Sequence, residues 1–171
     1  MLNDPRLKYI HPELPDMWDQ RTNYLLSRTE EEWATERRAF ARRLEIVGDL
    51  NEAGALILAG TDMPSPYLYP GFSLHGELEV LVEAGLTPLE ALQAATLNAA
   101  VFLEATDSLG TIEVGKAADL VLLDANPLAD IRNTQRIQAV ILRGEVYARA
   151  ELDELLALAE AAAQPSDSAK Q

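Results

Sequence analysis

Apolar and polar positions change period several times along the chain. From about Thr29, apolar side chains recur at helical spacing through Trp33, Phe40, Leu44, Val47 and Leu50, a step of three to four residues that turns one helix face inward. Thr29 followed by Glu30, Glu31 and Glu32 supplies a hydroxyl cap and a first turn of acids, where free amides and the helix dipole favour negative charge. Arg37, Arg38, Arg42 and Arg43 fall on the solvated face, and Asn51 and Gly54 end the helix. The pattern then becomes five consecutive apolar residues, Ala55-Leu56-Ile57-Leu58-Ala59, between glycines. This predicts a strand buried on both faces, as in a parallel sheet covered by helices. Long helix, short turn and buried strand make half of an α/β repeat.

A proline-rich loop covers residues 63–73. A helix is predicted from Ser73 or Leu74 to Glu83, closed by Gly85. Thr87-Pro88-Leu89-Glu90 reads as a second start, with Thr87 as cap, Pro88 in the first helical position and Glu90 completing a capping box. Its buried stripe runs through Leu89, Leu92, Ala95, Thr96, Ala99, Ala100 and Leu103. Beyond residue 105 the pattern turns to short extended pieces: 109–115, Ala118 to Asp124, Ile137 to Leu142 and Glu145 to Tyr147. The last two are predicted to form a hairpin around Arg143-Gly144. Residues 151–163 read as an acidic helix with Leu152, Leu155, Leu156 and Ala159 on one face, followed by a flexible tail over 164–171. The first 16 residues, with Pro5, Pro12 and Pro15, read as extended chain and loop, in which Leu7, Tyr9 and Ile10 can form a short strand.

Composition narrows the classes of function. The chain has 171 residues, 48% of them hydrophobic, enough for one ordinary domain with a real core. A formal net charge of −14 would be repelled by a phosphate backbone and by an anionic bilayer, so neither nucleic acid nor a membrane is an expected partner. With no cysteine, disulfides, thiolate zinc sites and a Cys nucleophile are excluded. The N-terminal residues lack the basic start and apolar stretch of a signal peptide, and no apolar run approaches the roughly 18 residues needed to span a bilayer. A cytoplasmic location is expected.

The candidate chemistry is sparse. Asp62 follows the predicted buried strand directly, on the side where α/β barrels place their active sites. A carboxylate there can bind a divalent metal and take a proton from metal-bound water; equally, a loop aspartate can cap a turn. His75, at the start of the next helix, can orient a substrate or ligand, or be a histidine bonded to backbone. His11 reads as a surface residue. His75 and Glu77 make a poor metal pair on a helix, because ligands sharing a face are three or four residues apart. Asp119 and Asp124 read as structural acids at a sheet edge. With two histidines in all, no H-x-H, HExxH, G-x-S-x-G, P-loop or G-x-G-x-x-G is present, and a catalytic zinc normally takes three protein ligands.

The ordered series G-T-D at 60–62, E-A-G-L-T-P-x-E-A-L-x-A-A-T-x-N-A-A, L-G-T-I-E-x-G-K-x-A-D-L-V-L-L-D and N-P-L-x-D-I resembles the C-terminal portion of amidohydrolase-superfamily enzymes. The likeness is to the branch with imidazolonepropionase-like and prolidase-like members. It is clear over residues 45–147 and weaker before them. It implies an α/β fold: the C-terminal part of a TIM-type (β/α)8 barrel plus C-terminal strands of a small β-sandwich. Residues 1–105 would belong to the barrel, with 55–59 as its eighth strand and 36–53 as the helix preceding it. Residues 106–150 would be sandwich strands, and 151–171 an acidic helix and tail. The resemblance makes Asp62 the metal-associated, water-activating aspartate and places His75 in an L-H-x-E-L motif to which it assigns no role.

The departures set the functional expectation. The family's H-x-H, its later histidines and its bridging lysine have no counterpart here, and a full barrel takes about 250 residues. The implied activity is metal-dependent hydrolysis of a C–N bond in a small amide-type substrate, with a divalent metal, zinc by expectation, only in a completed site. The chain alone is expected to be inactive, the rest of the centre coming from a missing N-terminal part or another subunit. The other reading is a non-catalytic assembly module that completes a partner's barrel or self-associates.

Overall fold

The computed structural model describes residues 4–11, 14, 18, 24–63, 65 and 67–164. Pro12, Pro15, Pro64, Pro66 and the tail beyond Gln164 lie outside them. Where Leu7, Tyr9 and Ile10 suggest a strand, Pro5–Tyr9 is instead a 3-10 turn, capped by Asp4, whose carboxylate accepts from Arg6 N at 2.9 Å. Proline at the first position supplies the helical φ and lacks only an amide that would have no partner there.

Helix α1 spans Glu30–Glu52 with the Thr29 cap anticipated at its start, and Glu32 extends that cap to a full capping box: Thr29 Oγ1 accepts from Glu32 N, and the Glu32 carboxylate accepts from Thr29 N. Its four arginines are exposed, as expected. Arg42 pairs with Glu45 at 2.7 Å and Arg37 with Glu30. No residue of α1 is buried, so its apolar stripe is only partly covered. Helix α2 (Ser73–Glu83) and helix α3 (Pro88–Ala94) follow, α3 with the Thr87–Glu90 capping box. Leu78 and Leu81 of α2, Leu86, Ala91 and Ala94, and Ile131 form the main core, against which Val47, Ile57 and Ala59 pack.

Two expectations are corrected here. The stripe from Leu89 to Leu103 is not one helix: α3 ends at Ala94, and α4 spans Leu97–Phe102. The Ala94 carbonyl, which a continuing helix would give to the amide four residues on, accepts instead from Ala59 N at 3.0 Å. Thr96 Oγ1 donates to the Leu92 carbonyl at 2.7 Å, the back-bonding that bends helices at Ser and Thr. The second correction concerns 55–59, predicted as a paired strand buried on both faces. The segment belongs to no sheet among the described residues. Its exposure alternates, with Ile57 and Ala59 turned inward and Leu56 and Leu58 at 48% and 37% exposure. Without a neighbouring strand its outer face has nothing to pack on.

The described sheet has order β1-β2-β3 and is antiparallel throughout: β1 Leu120–Leu123, β2 Ile137–Leu142 and β3 Glu145–Ala148. The hairpin turns at Arg143 and Gly144, with φ of 54° and 85°, the two positive values of a tight hairpin turn that matches strand twist. Asp119 is the structural acid expected, its carboxylate accepting from Arg143 N at 2.6 Å. The stretch 109–115 is turn and bend rather than strand, and leaves Ile112 at 84% exposure. Helix α5 (Arg149–Ala163) closes the described chain, and its Glu160 pairs with Lys8 at 2.7 Å. No helix among the described residues is long and apolar enough to cross a membrane.

Helix α1 reaches the core at Gly48, where a Cβ would drive into the backbone carbonyl of Ala84. Gly48→Ala should therefore lower the unfolding free energy by roughly 1–3 kcal/mol, despite alanine's better helix propensity of about 1 kcal/mol. A denaturant midpoint that rises would contradict this close approach of α1 to the turn after α2.

Candidate functional site

The segment leading to Asp62 is anchored without strand pairing. Asn98 Nδ2 donates to the Ile57 carbonyl at 2.8 Å, Ala59 N to Ala94 O, and Gly60 N to Glu77 Oε1 at 2.6 Å. These bonds hold both sides of an otherwise unpaired backbone, as buried peptide groups require. Beyond Gly60 the chain turns at Asp62, which is exposed and has φ of 53°, a left-handed conformation that aspartate adopts more readily than most residues. Its backbone carbonyl accepts from Ser65 N and Oγ, at 3.2 and 2.9 Å. Its carboxylate bonds no group among the described residues. The turn that follows is thus closed by the main chain, and the side chain is not used as a cap.

His75 lies in the first turn of α2, half-buried. Its Nδ1 is 3.0 Å from Thr134 Oγ1, in the 3-10 turn Ile131–Gln135. Thr134 is buried and donates to the Ile131 carbonyl at 2.9 Å. A hydroxyl has one proton, so Thr134 accepts from the ring, and the neutral imidazole is assigned its proton on Nδ1 and its lone pair on Nε2. Burial holds the His75 pKa below its ordinary value, opposed by the nearby Glu79 carboxylate.

His75 and Glu79 share a face of α2 one turn apart, and both line a pocket of ≈ 300 Å³. Asp62 is not part of it, so the structure places the two predicted site residues in separate surroundings. His11 is exposed and does not line that pocket either. Glu77, as its spacing indicates, points away from His75 and serves Gly60. Three contributors escape sequence reading: Glu77 and Asn98 as anchors, and Thr134 as the partner of His75 across 59 residues. Only Asn98, a lone amide in an alanine-rich stripe, carries a signal.

No group of three His, Cys, Asp or Glu among the described residues is placed to hold a metal ion. Asp62 alone does not fit a catalytic metal centre, which takes three protein ligands. The titration of His75 can be read directly. Unfolded chain protonates His75 at its ordinary value, and the folded chain only at lower pH. The stability involved is complete above that value and is lost as pH falls through the folded one. Thermal midpoints should therefore fall more steeply from about pH 7 to about pH 5 in the native chain than in His75→Gln. Nitrogen-15 spectra at neutral pH should find the ring proton on Nδ1, and equal slopes with a proton on Nε2 would refute the assignment.

The sequence matches the amidohydrolase family over residues 18–147. Ochratoxinase of Aspergillus niger is 37% identical over 112 residues, 64% of this chain and 22% of that protein. Imidazolonepropionase of a Geobacillus species is 43% identical over 74 residues, 43% of this chain and 17% of that protein. The chain thus spans about a fifth of the length of these curated relatives. Among solved structures, a bottromycin amidohydrolase superposes with a TM-score of 0.75 at 26% identity, covering 96% of this chain and 36% of that one. A Xaa-Pro dipeptidase superposes at 0.56 with 32% identity, over 61% of this chain and 25% of its own. The resemblance to the imidazolonepropionase-like and prolidase-like branch is borne out.

Proposed function

The chain belongs to the amidohydrolase family, and from this we propose that it forms the C-terminal part of a hydrolase acting on a C–N bond of a small amide-type molecule. In this reading residues 1–105 complete a (β/α)8 barrel, with 55–59 as its last strand once a neighbour pairs with it. Residues 106–150 contribute sandwich strands, and 151–171 form the acidic helix and tail. The support is the alternation of 55–59. Its inner residues already pack on the α2–α3 core, while Leu56 and Leu58 await a covering layer.

Asp62 carries the chemical part of the proposal. It sits at the C-terminal end of that segment, where barrel enzymes gather their catalytic groups, and its carboxylate bonds no group among the described residues while its main chain is fixed. A carboxylate so placed acts as proton acceptor toward an attacking water. The relatives' names, ochratoxinase, imidazolonepropionase and Xaa-Pro dipeptidase, support the substrate class without narrowing it. The other groups of the centre, including any that hold the divalent metal general to this family, come from protein outside these residues. Alone, the chain does not hydrolyse amides.

The second reading, an assembly module without catalysis, draws on the exposed Phe102, Leu103, Ile112 and Val114. The two separate in one experiment. The chain is purified from its host with whatever protein is bound or continuous with it, and hydrolysis of a panel of amides and cyclic amides is measured beside the isolated chain. The hydrolase reading expects activity only in the completed protein, with Asp62→Asn lowering kcat/KM by at least about 100-fold at unchanged assembled mass. Activity indifferent to Asp62→Asn refutes the role of Asp62. An assembled protein that hydrolyses nothing supports the module.

A further inference from the structure

The pocket lined by His75 draws its walls from three distant parts of the chain: the turn Pro5–Tyr9, the start of α2 and the turn Ile131–Gln135. At ≈ 300 Å³ it is at the lower end of small-molecule sites. Its charges do not balance. The Asp4 carboxylate accepts from Arg6 Nε and Nη2, at 2.9 and 2.6 Å. That pairing holds Asp4 down to about 2, so the two cancel at neutral pH. Glu79 has only the side-chain amide of Gln135, Nε2 to Oε1 at 2.9 Å, and forms no ion pair among the described residues. One carboxylate oxygen is left over; the Arg132 guanidinium feels Glu79 from a distance but is paired with Asp130 at 2.7 Å, so the pocket keeps a net negative charge.

One helical turn away, His75 presents the Nε2 lone pair that its bond to Thr134 leaves unused. Phe72, stacked on Tyr9 with ring centroids 5.6 Å apart, supplies an aromatic wall. Two hydrogen-bond acceptors on one helix face, a net negative charge and a π-face together favour a cation that donates hydrogen bonds. A divalent metal suits the pocket poorly, because Asp4 is committed to Arg6 and no third ligand among the described residues joins His75 and Glu79.

We propose that this pocket binds the protonated nitrogen group of a small organic cation, a primary ammonium or an amidinium, which donates to His75 Nε2 and the Glu79 carboxylate and rests its apolar part on Phe72. The site is separate from Asp62 and does not depend on the hydrolase reading. A neutral molecule of the same shape lacks the attraction of Glu79, and an anion is repelled by it.

The test uses the full chain with benzamidinium as the probe and benzyl alcohol as its neutral counterpart. The two histidines give two ring ε1 resonances in carbon-13 spectra, assigned with His75→Gln. Benzamidinium is expected to shift the His75 signal saturably, with Kd on the order of 1 mM, and to leave His11 in place. Glu79→Gln, a conservative change at a half-exposed helix position, should weaken binding by about tenfold or more. No saturable shift, equal binding of benzyl alcohol or indifference to Glu79→Gln would each overturn the proposal. Zinc chloride that displaced benzamidinium at lower concentration would reassign the pocket to a metal.

Discussion

The core and both candidate sites depend on how helix α2 distributes five side chains between positions 75 and 81. Leu78 and Leu81 face the core, where their burial against Leu86, Ala91, Ala94 and Ile131 fixes the helix. With that face set, helical geometry leaves little freedom to the polar residues beside them. Glu77 must meet Gly60, His75 must meet Thr134, and Glu79 must meet Gln135. One hydrophobic contact thus positions the segment before Asp62 and the walls of the His75 pocket together. A rotation of α2 sufficient to re-aim any one of these residues would expose both leucines.

Membership of the amidohydrolase family gives this arrangement its context. It holds the backbone before Asp62 in place and leaves that residue's carboxylate exposed. The side of 55–59 away from the core and the apolar residues near 102–114 are finished surfaces only if more protein covers them. Burying such apolar area is the main favourable term in association, so these exposed apolar faces suit contact with further protein.

Much of the fold was legible because it is written locally. Thr29 with Glu32, Thr87 with Glu90 and the Arg143-Gly144 turn act within three or four residues, and each lies where its pattern placed it. What escaped depends on distant partners. The apolar run at 55–59 signals burial, but whether it pairs rests on a strand elsewhere. The break at Ala95 and Thr96 arises because Ala59 takes the Ala94 carbonyl, which no helical pattern reveals. The exposed turn at Asp62 follows the apolar run as its sequence position suggested. The pairing of His75 with Thr134 was not, since nothing in a lone threonine marks it as a partner for a ring 59 residues away.

The anchors of the 57–60 segment have a kinetic consequence. They join residues separated by 17, 35 (94 − 59) and 41 positions, whereas α2 and α3 are adjacent in sequence and α3 begins with its own capping box. Loops of that length close at an entropic cost that helices formed nearby do not carry. The helical pair can therefore assemble first and act as the template on which residues 57–60 are laid down. Asp62 then acquires its fixed backbone among the last steps of folding, and a newly made chain would be collapsed and helical before its carboxylate is in position.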